Sequence, residues 1–156
     1  MTVTNNVTRL LDAKKIKYEV FTLPEEKLGA LETAQLLGIS PSITFKTIVV
    51  VHPPKKPLLC VIPGDREVNL KAVAALCGEK KVSLPTQNEA EQLTGLQAGG
   101  ISPLALINKG FTVIIDVSAR EHGSIHISGG QRGLNIKLNT SDLAELTRAR
   151  FAGISH

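Results

Sequence analysis

Lys46 is the residue whose type and surroundings most directly suggest chemistry. It is the only charged residue in the run Phe45–Val51, which is rich in β-branched residues and typical of a strand covered on both faces. A buried ammonium group is unfavourable unless it is paired or solvated. The lysine must therefore extend into solvent at the strand end, pair with an anion, or point into a ligand cleft. The sequence leaves these orientations open and makes Lys46 a candidate site residue.

Two glycine-rich segments are candidates for binding a ligand through the backbone. In Gly99–Pro103, two consecutive glycines let the main chain approach a ligand, and the proline stiffens the exit. Such a loop can present amide groups to a carbonyl or phosphate oxygen without using a side chain. In Ser128–Gly133, a glycine-rich turn carries Arg132, which suits a phosphate group. For each segment the alternative is a plain surface turn, which is the favoured interpretation of Ser128–Gly133 taken alone.

The usual catalytic motifs are absent from the sequence. It contains no G-x-S-x-G, H-E-x-x-H, Walker or C-x-x-C pattern. His122 and His126 have the four-residue spacing of helical metal ligands, but the alternating apolar residues around them indicate a strand, and no third ligand follows at a recognisable spacing. We therefore predict neither a metal nor a cofactor.

The composition is that of a folded protein of ordinary domain size. The chain has 156 residues and a mass of 16.7 kDa, and its 42% hydrophobic and 21% charged residues exclude an intrinsically disordered chain. No apolar run approaches the roughly 18 residues of a membrane span, so we predict no membrane partner. The two cysteines, Cys60 and Cys77, lie in apolar surroundings and are predicted to be buried free thiols in a reducing cytoplasm.

The charge and the aromatic content limit how the protein could bind a nucleic acid. The net charge of +4 permits binding to a polyanion without requiring it. Aromatic residues make up only 3% of the chain, which disfavours base stacking as the main interaction. If RNA is the partner, phosphates, backbone amides and shape must supply most of the binding.

Helical and strand patterns are interspersed without a regular β–α–β rhythm. Helices are predicted over residues 4–15, 30–37, 70–78 and 87–94, and a last helix, capped by Asn139 or Thr140, runs through Leu143 and Leu146. Strands are predicted over residues 17–23, 45–51, 58–62, 81–84, 111–117, 124–128 and 134–138. Short glycine and proline turns between strands favour antiparallel pairing, so we predict one domain with an α+β fold.

In this order and spacing, the three candidate segments resemble the YbaK/EbsC family of aminoacyl-tRNA deacylases, which are relatives of the editing domain of bacterial prolyl-tRNA synthetase. The matching stretches read FKTIVV from Phe45, GGISPL from Gly99, VIID from Val113 and IHISGGQRGL from Ile125. The opening RLLDAKKIKYEVF and the final DLAELTRARFAGI extend the resemblance over essentially the whole chain.

The resemblance implies both a fold and an activity. The fold would be a compact α+β domain over residues 1–156, with a central mixed, mostly antiparallel, barrel-like sheet surrounded by helices. The activity would be trans-editing, the removal of a mischarged amino acid from tRNA, most characteristically cysteine from proline tRNA and also from cysteine tRNA. A prolyl-tRNA synthetase is the implied protein partner, and the cytoplasm the implied location.

The resemblance also implies the roles of individual residues. The functional lysine of the family falls on Lys46, and catalytic backbone amides fall on Gly100 and Ile101. The residues expected to contact the substrate are Thr47, Gly99, Ser102, Pro103, Ser128, Gly129 and Asn135. Arg132 is expected to contact the tRNA.

Two positions differ from the family pattern. An aspartate of the family is Asn135 here, and a pocket-side tyrosine is Leu23. These changes leave the preferred amino acid open.

The missing nucleophile has an explanation within the same family. There the thiol of the substrate cysteine is thought to attack its own ester carbonyl, so the protein needs to supply only orientation and electrostatic stabilisation. Three alternatives remain at this point: a deacylase for alanine or serine that uses water, a non-catalytic module that binds tRNA or a synthetase, and a nucleotide-binding protein, although the chain lacks a phosphate-loop motif.

Overall fold

The structure, a computed structural model, describes residues 4–156, and residues 1–3 of the predicted domain lie outside the described part. Within that part the chain forms five α-helices and seven strands. The helices are α1 (Asn6–Ala13), α2 (Ala30–Leu37), α3 (Leu70–Cys77), α4 (Gln87–Thr94) and α5 (Thr140–Thr147). The strands are β1 (Tyr18–Thr22), β2 (Phe45–His52), β3 (Lys55–Pro63), β4 (Thr112–Asp116), β5 (Ser124–Ser128), β6 (Leu134–Asn139) and β7 (Arg150–Ala152). Short 3-10 helices cover Pro41–Ile43, Pro103–Lys109 and Val117–Glu121.

The strands form two sheets. The first has the order β1–β6–β5 and is antiparallel throughout. The second has the order β2–β3–β4–β7, in which β2 and β3 are antiparallel while β4 runs parallel to both β3 and β7. A β-bridge between Thr44 and His126 links the two sheets where β2 begins. The predicted α+β class is confirmed, but the barrel-like sheet is wrong because neither sheet closes on itself.

Successive side chains of β3 point alternately into two hydrophobic cores, one on each face of the second sheet. Leu59 and Val61 point into a core between this sheet, the first sheet, α1 and α5. Leu58, Cys60 and Ile62 point into a second core, formed with α3. The second sheet is therefore covered on both faces, as the Phe45–Val51 pattern predicts.

Local signals set the ends of several helices. At the start of α4, Thr86 and Glu89 form the predicted capping box, in which the Glu89 amide donates to Thr86 Oγ1 at 3.1 Å and the Thr86 amide donates to Glu89 Oε1 at 3.0 Å. Helix α2 ends at Gly38, whose φ of 67° suits glycine. Both helices have the predicted bounds.

Both cysteines are free, as predicted. Cys60 is fully buried, and its burial raises the pKa of the thiol to about 12, so the thiol is a poor nucleophile. Cys77 is only partly buried. Among the helices of residues 4–156, none has the length and apolar character needed to cross a bilayer.

Asp116, at the end of β4, fastens the C-terminal segment to the second sheet. Its Oδ1 atom accepts a hydrogen bond from the Ile154 amide at 3.0 Å, and Oδ2 accepts from the Ser118 amide at 3.2 Å and from the Ser118 hydroxyl. Burial raises the pKa of the Asp116 carboxyl, but these hydrogen bonds lower it by more, so the pKa lies below its ordinary value.

Replacing this carboxylate should destabilise the fold in a pH-dependent way. We expect Asp116→Ala to lower the free energy of unfolding by about 2 kcal/mol at pH 7, because buried donors lose their acceptor. Because the folded-state pKa is the lower one, the contribution is complete above the unfolded pKa of about 4 and is lost as the pH falls through the folded value. Urea denaturation from pH 7 to pH 3 measures both, with the exposed Asp65→Ala as control; equal stability of the Asp116 variant and the wild type at pH 7 would contradict this role.

Candidate active site

A cavity of about 250 Å³ opens where the two sheets meet. Its volume lies below the roughly 300–1,000 Å³ of pockets for drug-sized ligands, so it suits a small group such as one end of a longer substrate. Four chain segments form its wall. The lining residues are Leu23, Glu26, Leu28, Gly29, Ala30, Thr33, Thr44, Phe45, Lys46, Thr47, Ala98, Gly99, Ile101, Ser128, Gly133, Leu134 and Asn135.

Lys46 is one of the lining residues and also has an anionic neighbour, so the structure combines two of the orientations that the sequence leaves open. Its side chain is 25% exposed, and its Nζ atom donates to the carbonyl of Gly64 at 3.3 Å. The carboxylate of Glu67 lies 4.0 Å away, but its side chain is 82% exposed, so this pair is weak. An ammonium has three donors, and this one retains capacity for an anionic or carbonyl ligand.

Gly100 holds the glycine loop against the hairpin that follows β5. A Cβ atom at Gly100 would come within 2.9 Å of the backbone of Gln131, and Gly100 does not line the cavity. Its amide donates to the carbonyl of Gln97 at 2.8 Å. Gly100 therefore fixes the loop, and its amide is not free to bind an oxyanion.

Ile101, the next residue, is the backbone donor that the loop leaves available. It lines the cavity, and within residues 4–156 its amide has no hydrogen-bond partner. Free amides on a fixed loop are the groups that stabilise a developing oxyanion in acyl-transfer sites. The structure thus distinguishes the two predicted amides: the Gly100 amide bonds within its own turn, and the Ile101 amide has no partner within residues 4–156.

Side chains of the Ser128–Gly133 segment also hold this segment against the glycine loop. Arg132 donates from Nε to the carbonyl of Ala98 at 2.7 Å, and the Ser128 hydroxyl lies 3.5 Å from the carbonyl of Gly99. Asn5 Nδ2 donates to the carbonyl of Gly129 at 2.9 Å. Arg132 therefore has a structural bond in addition to its predicted tRNA contact.

Three residues predicted to contact a substrate do not line the cavity: Ser102, Pro103 and Gly129. Ser102 is completely buried, and its hydroxyl accepts from the Leu104 amide at 3.2 Å, which begins the 3-10 helix containing Pro103. Gly129 packs on the side chain of Leu134, where a Cβ would come within 2.6 Å. These residues shape the loops behind the cavity wall.

Asn135 lines the cavity and pairs with His126, which the sequence did not connect to it. Oδ1 of Asn135 lies 2.8 Å from Nδ1 of His126, so Nδ1 donates and the Asn135 amide group is left for other contacts. Burial lowers the pKa of His126 and outweighs the raising effect of this hydrogen bond, so the ring is neutral at pH 7. His126 lies in β5, not on a helix, so its spacing from His122 does not place the two rings on one helical face.

The sequence missed the part of the wall formed by residues 24–33. Glu26, Leu28 and Thr33 line the cavity. Glu26 and Leu28 lie in the polar loop before α2, and Thr33 lies in that short helix. Neither the loop nor the helix carries a sequence motif. Leu23 also lies on the wall, at the position where the resemblance places a pocket-side residue.

The lining residues include hydroxyl groups but neither a cysteine nor a histidine. The Ser128 hydroxyl is placed near the Gly99 carbonyl and the Gly130 amide, not near a general base. Among the described residues, no group of three or more histidine, cysteine, aspartate or glutamate side chains is arranged to hold a metal ion. The cavity therefore offers a cation and a backbone donor, but no nucleophile paired with a base.

Comparison with known proteins identifies relatives in sequence and in fold. The model of the aminoacyl-tRNA editing domain matches residues 25–146. EbsC of Enterococcus faecalis, named a Cys-tRNA(Pro)/Cys-tRNA(Cys) deacylase, is 34% identical over 152 residues, which cover 96% of this chain and 92% of EbsC. A proline–tRNA ligase of Thermodesulfovibrio yellowstonii is 30% identical over 94 residues, covering 60% of this chain and 16% of the ligase. The crystal structure of a hypothetical protein superposes with a TM-score of 0.89 at 27% identity, over 97% of this chain and 100% of the other.

The contact of Gly100 with the hairpin predicts a specific sensitivity to an added methyl group. We expect Gly100→Ala to lower the free energy of unfolding by about 1–3 kcal/mol, because rigid backbone rather than a flexible side chain meets the new atom. Gly123→Ala is the matched control, since a Cβ there has no neighbour within 4 Å. Thermal denaturation compares the two variants, and equal melting temperatures would show that the loop yields freely.

Proposed function

The chain belongs to the aminoacyl-tRNA editing domain family and is an aminoacyl-tRNA deacylase, and we propose that it acts in trans to remove cysteine from mischarged proline tRNA. We propose further that residues 1–156 form a single deacylase domain and that the substrate itself supplies the nucleophile. The relative EbsC, 34% identical, carries both proline tRNA and cysteine tRNA in its name, which supports cysteine as the amino acid removed.

The observation that carries this mechanism is the composition of the cavity wall. Lys46 and Ile101, whose amide has no partner within residues 4–156, line one cavity in which no cysteine or histidine is present among the lining residues. A site with electrostatic groups but without a nucleophile–base pair is suited to a substrate that reacts with itself. Cysteine is such a substrate because its thiol is intrinsically nucleophilic.

The reaction proceeds by ring closure of the bound aminoacyl group. The cysteine sulfur attacks the ester carbonyl carbon, and the negative charge that develops on the carbonyl oxygen is stabilised by the Ile101 amide. The bond between this carbon and the ribose oxygen then breaks. The thiol proton passes to the ribose oxygen, and a cyclic thiolactone leaves. Orientation of an intramolecular nucleophile can supply on the order of 7–11 kcal/mol in the best cases.

Lys46 anchors the substrate while it bends. Within residues 4–156 its ammonium has only a carbonyl and a weakly paired carboxylate as partners, so it can hold the phosphate of the terminal adenosine or the ester carbonyl. Thr47, Ser128 and Asn135 line the same wall and contact the aminoacyl end. Leu23 is apolar where the family pattern has a phenol, which favours a small side chain that makes no hydrogen bond at this position.

Recognition of the tRNA body requires a further partner. The cavity admits only a small group, and a chain of this size leaves little surface to read the tRNA. A prolyl-tRNA synthetase fits this role, because part of one such ligase is 30% identical to 60% of this chain, which indicates a common editing unit in cis and in trans. Mischarged tRNA is a cytoplasmic substrate, so we place the protein in the cytoplasm.

Removing the Lys46 ammonium tests its role directly. With proline tRNA loaded with cysteine, we expect Lys46→Ala to slow cysteine release by about a hundredfold, the usual cost of losing one preorganised electrostatic contact. The exposed Lys71→Ala serves as the charge-matched control. Lys46→Arg keeps the charge but changes its geometry, so it should restore only part of the rate. Wild-type rates for Lys46→Ala would remove the ammonium from the mechanism.

Changing the side chain of the bound amino acid tests the origin of the nucleophile. Proline tRNA loaded with serine differs from the cysteine ester by one atom, and we expect its release to be at least about tenfold slower, because a hydroxyl is a much weaker nucleophile than a thiol. Single-turnover rates on the two esters give the comparison. Equal rates would contradict self-attack and would indicate an activated water.

A further inference from the structure

Three consecutive charged residues in the loop before α2 have different surroundings. The side chain of Glu25 covers Gly133, where a Cβ would meet Glu25 Cγ at 2.9 Å. Lys27 donates from Nζ to Oε1 of Gln87 at the start of α4. Glu26, between them, lines the cavity, and within residues 4–156 its carboxylate has neither a hydrogen bond nor an ion pair. This carboxylate is therefore available at the rim.

The loop that carries Glu26 is fixed from both sides. The Leu23 amide donates to the carbonyl of Gly133 at 2.8 Å, and the Glu26 amide donates to the carbonyl of Pro24 at 2.8 Å. A Cβ at Gly99, which has a φ of 89°, would lie 3.3 Å from Cα of Lys27, so the glycine loop packs directly on this segment. The backbone of Glu26 is thus held at the cavity.

The charges of the wall are complementary to an aminoacylated adenosine. Lys46 is the only cation and Glu26 the only anion among the lining residues. The proposed substrate likewise carries one cation, the α-ammonium group next to the ester, and an anionic phosphate on the adenosine. Lys46 and Glu26 form no ion pair with each other, and two such opposite charges favour one orientation of a ligand of this kind over the reverse.

We propose that Glu26 binds the α-ammonium group of the aminoacyl ester and thereby selects free aminoacyl ends over N-blocked ones. This inference rests on the proposed function, because it names the part of that substrate which Glu26 recognises. Glu26 is a positioning residue for substrate binding. An N-acylated or peptidyl end carries no ammonium and gains no attraction from the carboxylate, so it binds more weakly than an end with a free amine.

A carboxylate at this place has one other chemical use, as a general base that activates water. The two roles give different outcomes. A base acts on every ester in the cavity, whether or not its amine is blocked. An ammonium-binding group acts only on esters with a free amine, so blocking the amine separates the two roles.

The test compares Glu26→Gln with the wild type on cysteinyl-tRNA and N-acetylcysteinyl-tRNA, both made on proline tRNA. We expect the variant to lower kcat/KM for the free amine by about tenfold, through KM, and to leave the rate on the N-acetyl ester unchanged. Each variant is compared with the wild type on the same ester, so the intrinsic reactivities of the two esters cancel. Glu25→Gln, on the adjacent residue outside the wall, should change neither rate.

Binding of an uncleavable analogue gives a readout that does not require turnover. The probe is 3′-cysteinylamino-3′-deoxyadenosine, with or without an acetyl group on its amine. We expect the wild type to bind the free amine about tenfold more tightly than the acetylated form, and Glu26→Gln to bind both equally. High salt should reduce the preference of the wild type, because Glu26 is exposed.

The outcomes distinguish the two proposals. Equal slowing of both esters by Glu26→Gln would overturn ammonium binding in favour of a base, and unchanged rates with an unchanged binding preference would overturn any role of Glu26. A wild type that prefers the free amine but does not release cysteine would contradict the proposed substrate while supporting Glu26. Cysteine release by a wild type without an amine preference would support the substrate and contradict Glu26.

Discussion

Contact between two backbone segments determines the shape of the cavity. Gly100 lies so close to Gln131 that no side chain fits between them, and the Arg132 side chain ties the same hairpin to the carbonyl of Ala98. The Gly100 amide bonds to the carbonyl of Gln97 within the same loop, and the next amide, that of Ile101, has no partner within residues 4–156. A donor that is fixed before the substrate arrives requires no reorganisation during the reaction, which is what makes a backbone amide effective towards an oxyanion.

The opposite wall depends on a strand that cannot move easily. Strand β2 belongs to a sheet covered on both faces, with Phe45 and Val49 in one core and Val50 in the other. Lys46 is the second residue of this strand and one of the residues that line the cavity. Burial of the neighbouring residues thus holds the charge in place, while its own weak pairing keeps the charge available. In the proposed mechanism the protein supplies orientation and electrostatic stabilisation, and the substrate supplies the nucleophile.

Much of the local structure could be predicted because short-range interactions determine it. The capping pair Thr86 and Glu89, the left-handed Gly38 and the run Phe45–Val51 each depend on neighbours within a few residues, and each has the predicted structure. The sheet arrangement is not of this kind. Strand β4 follows β3 only after α3 and α4, and this long connection allows the parallel pairing that short turns do not suggest. Strand β7 has only three residues, too few for an alternating pattern to reveal it.

In the candidate site, too, some features follow from the local sequence and others depend on contacts between distant segments. The sequence by itself determined that Lys46 is an isolated cation in an apolar strand, that two glycine segments are able to approach a ligand, and that no familiar nucleophile motif is present. Only the tertiary structure decided that Ile101 rather than Gly100 offers a free amide, that Ser102 turns inward to a 3-10 helix, and that Glu26 reaches the wall. The reason is physical: whether a polar group is free depends on partners distant in sequence, and no local pattern records which partners folding brings within hydrogen-bond distance.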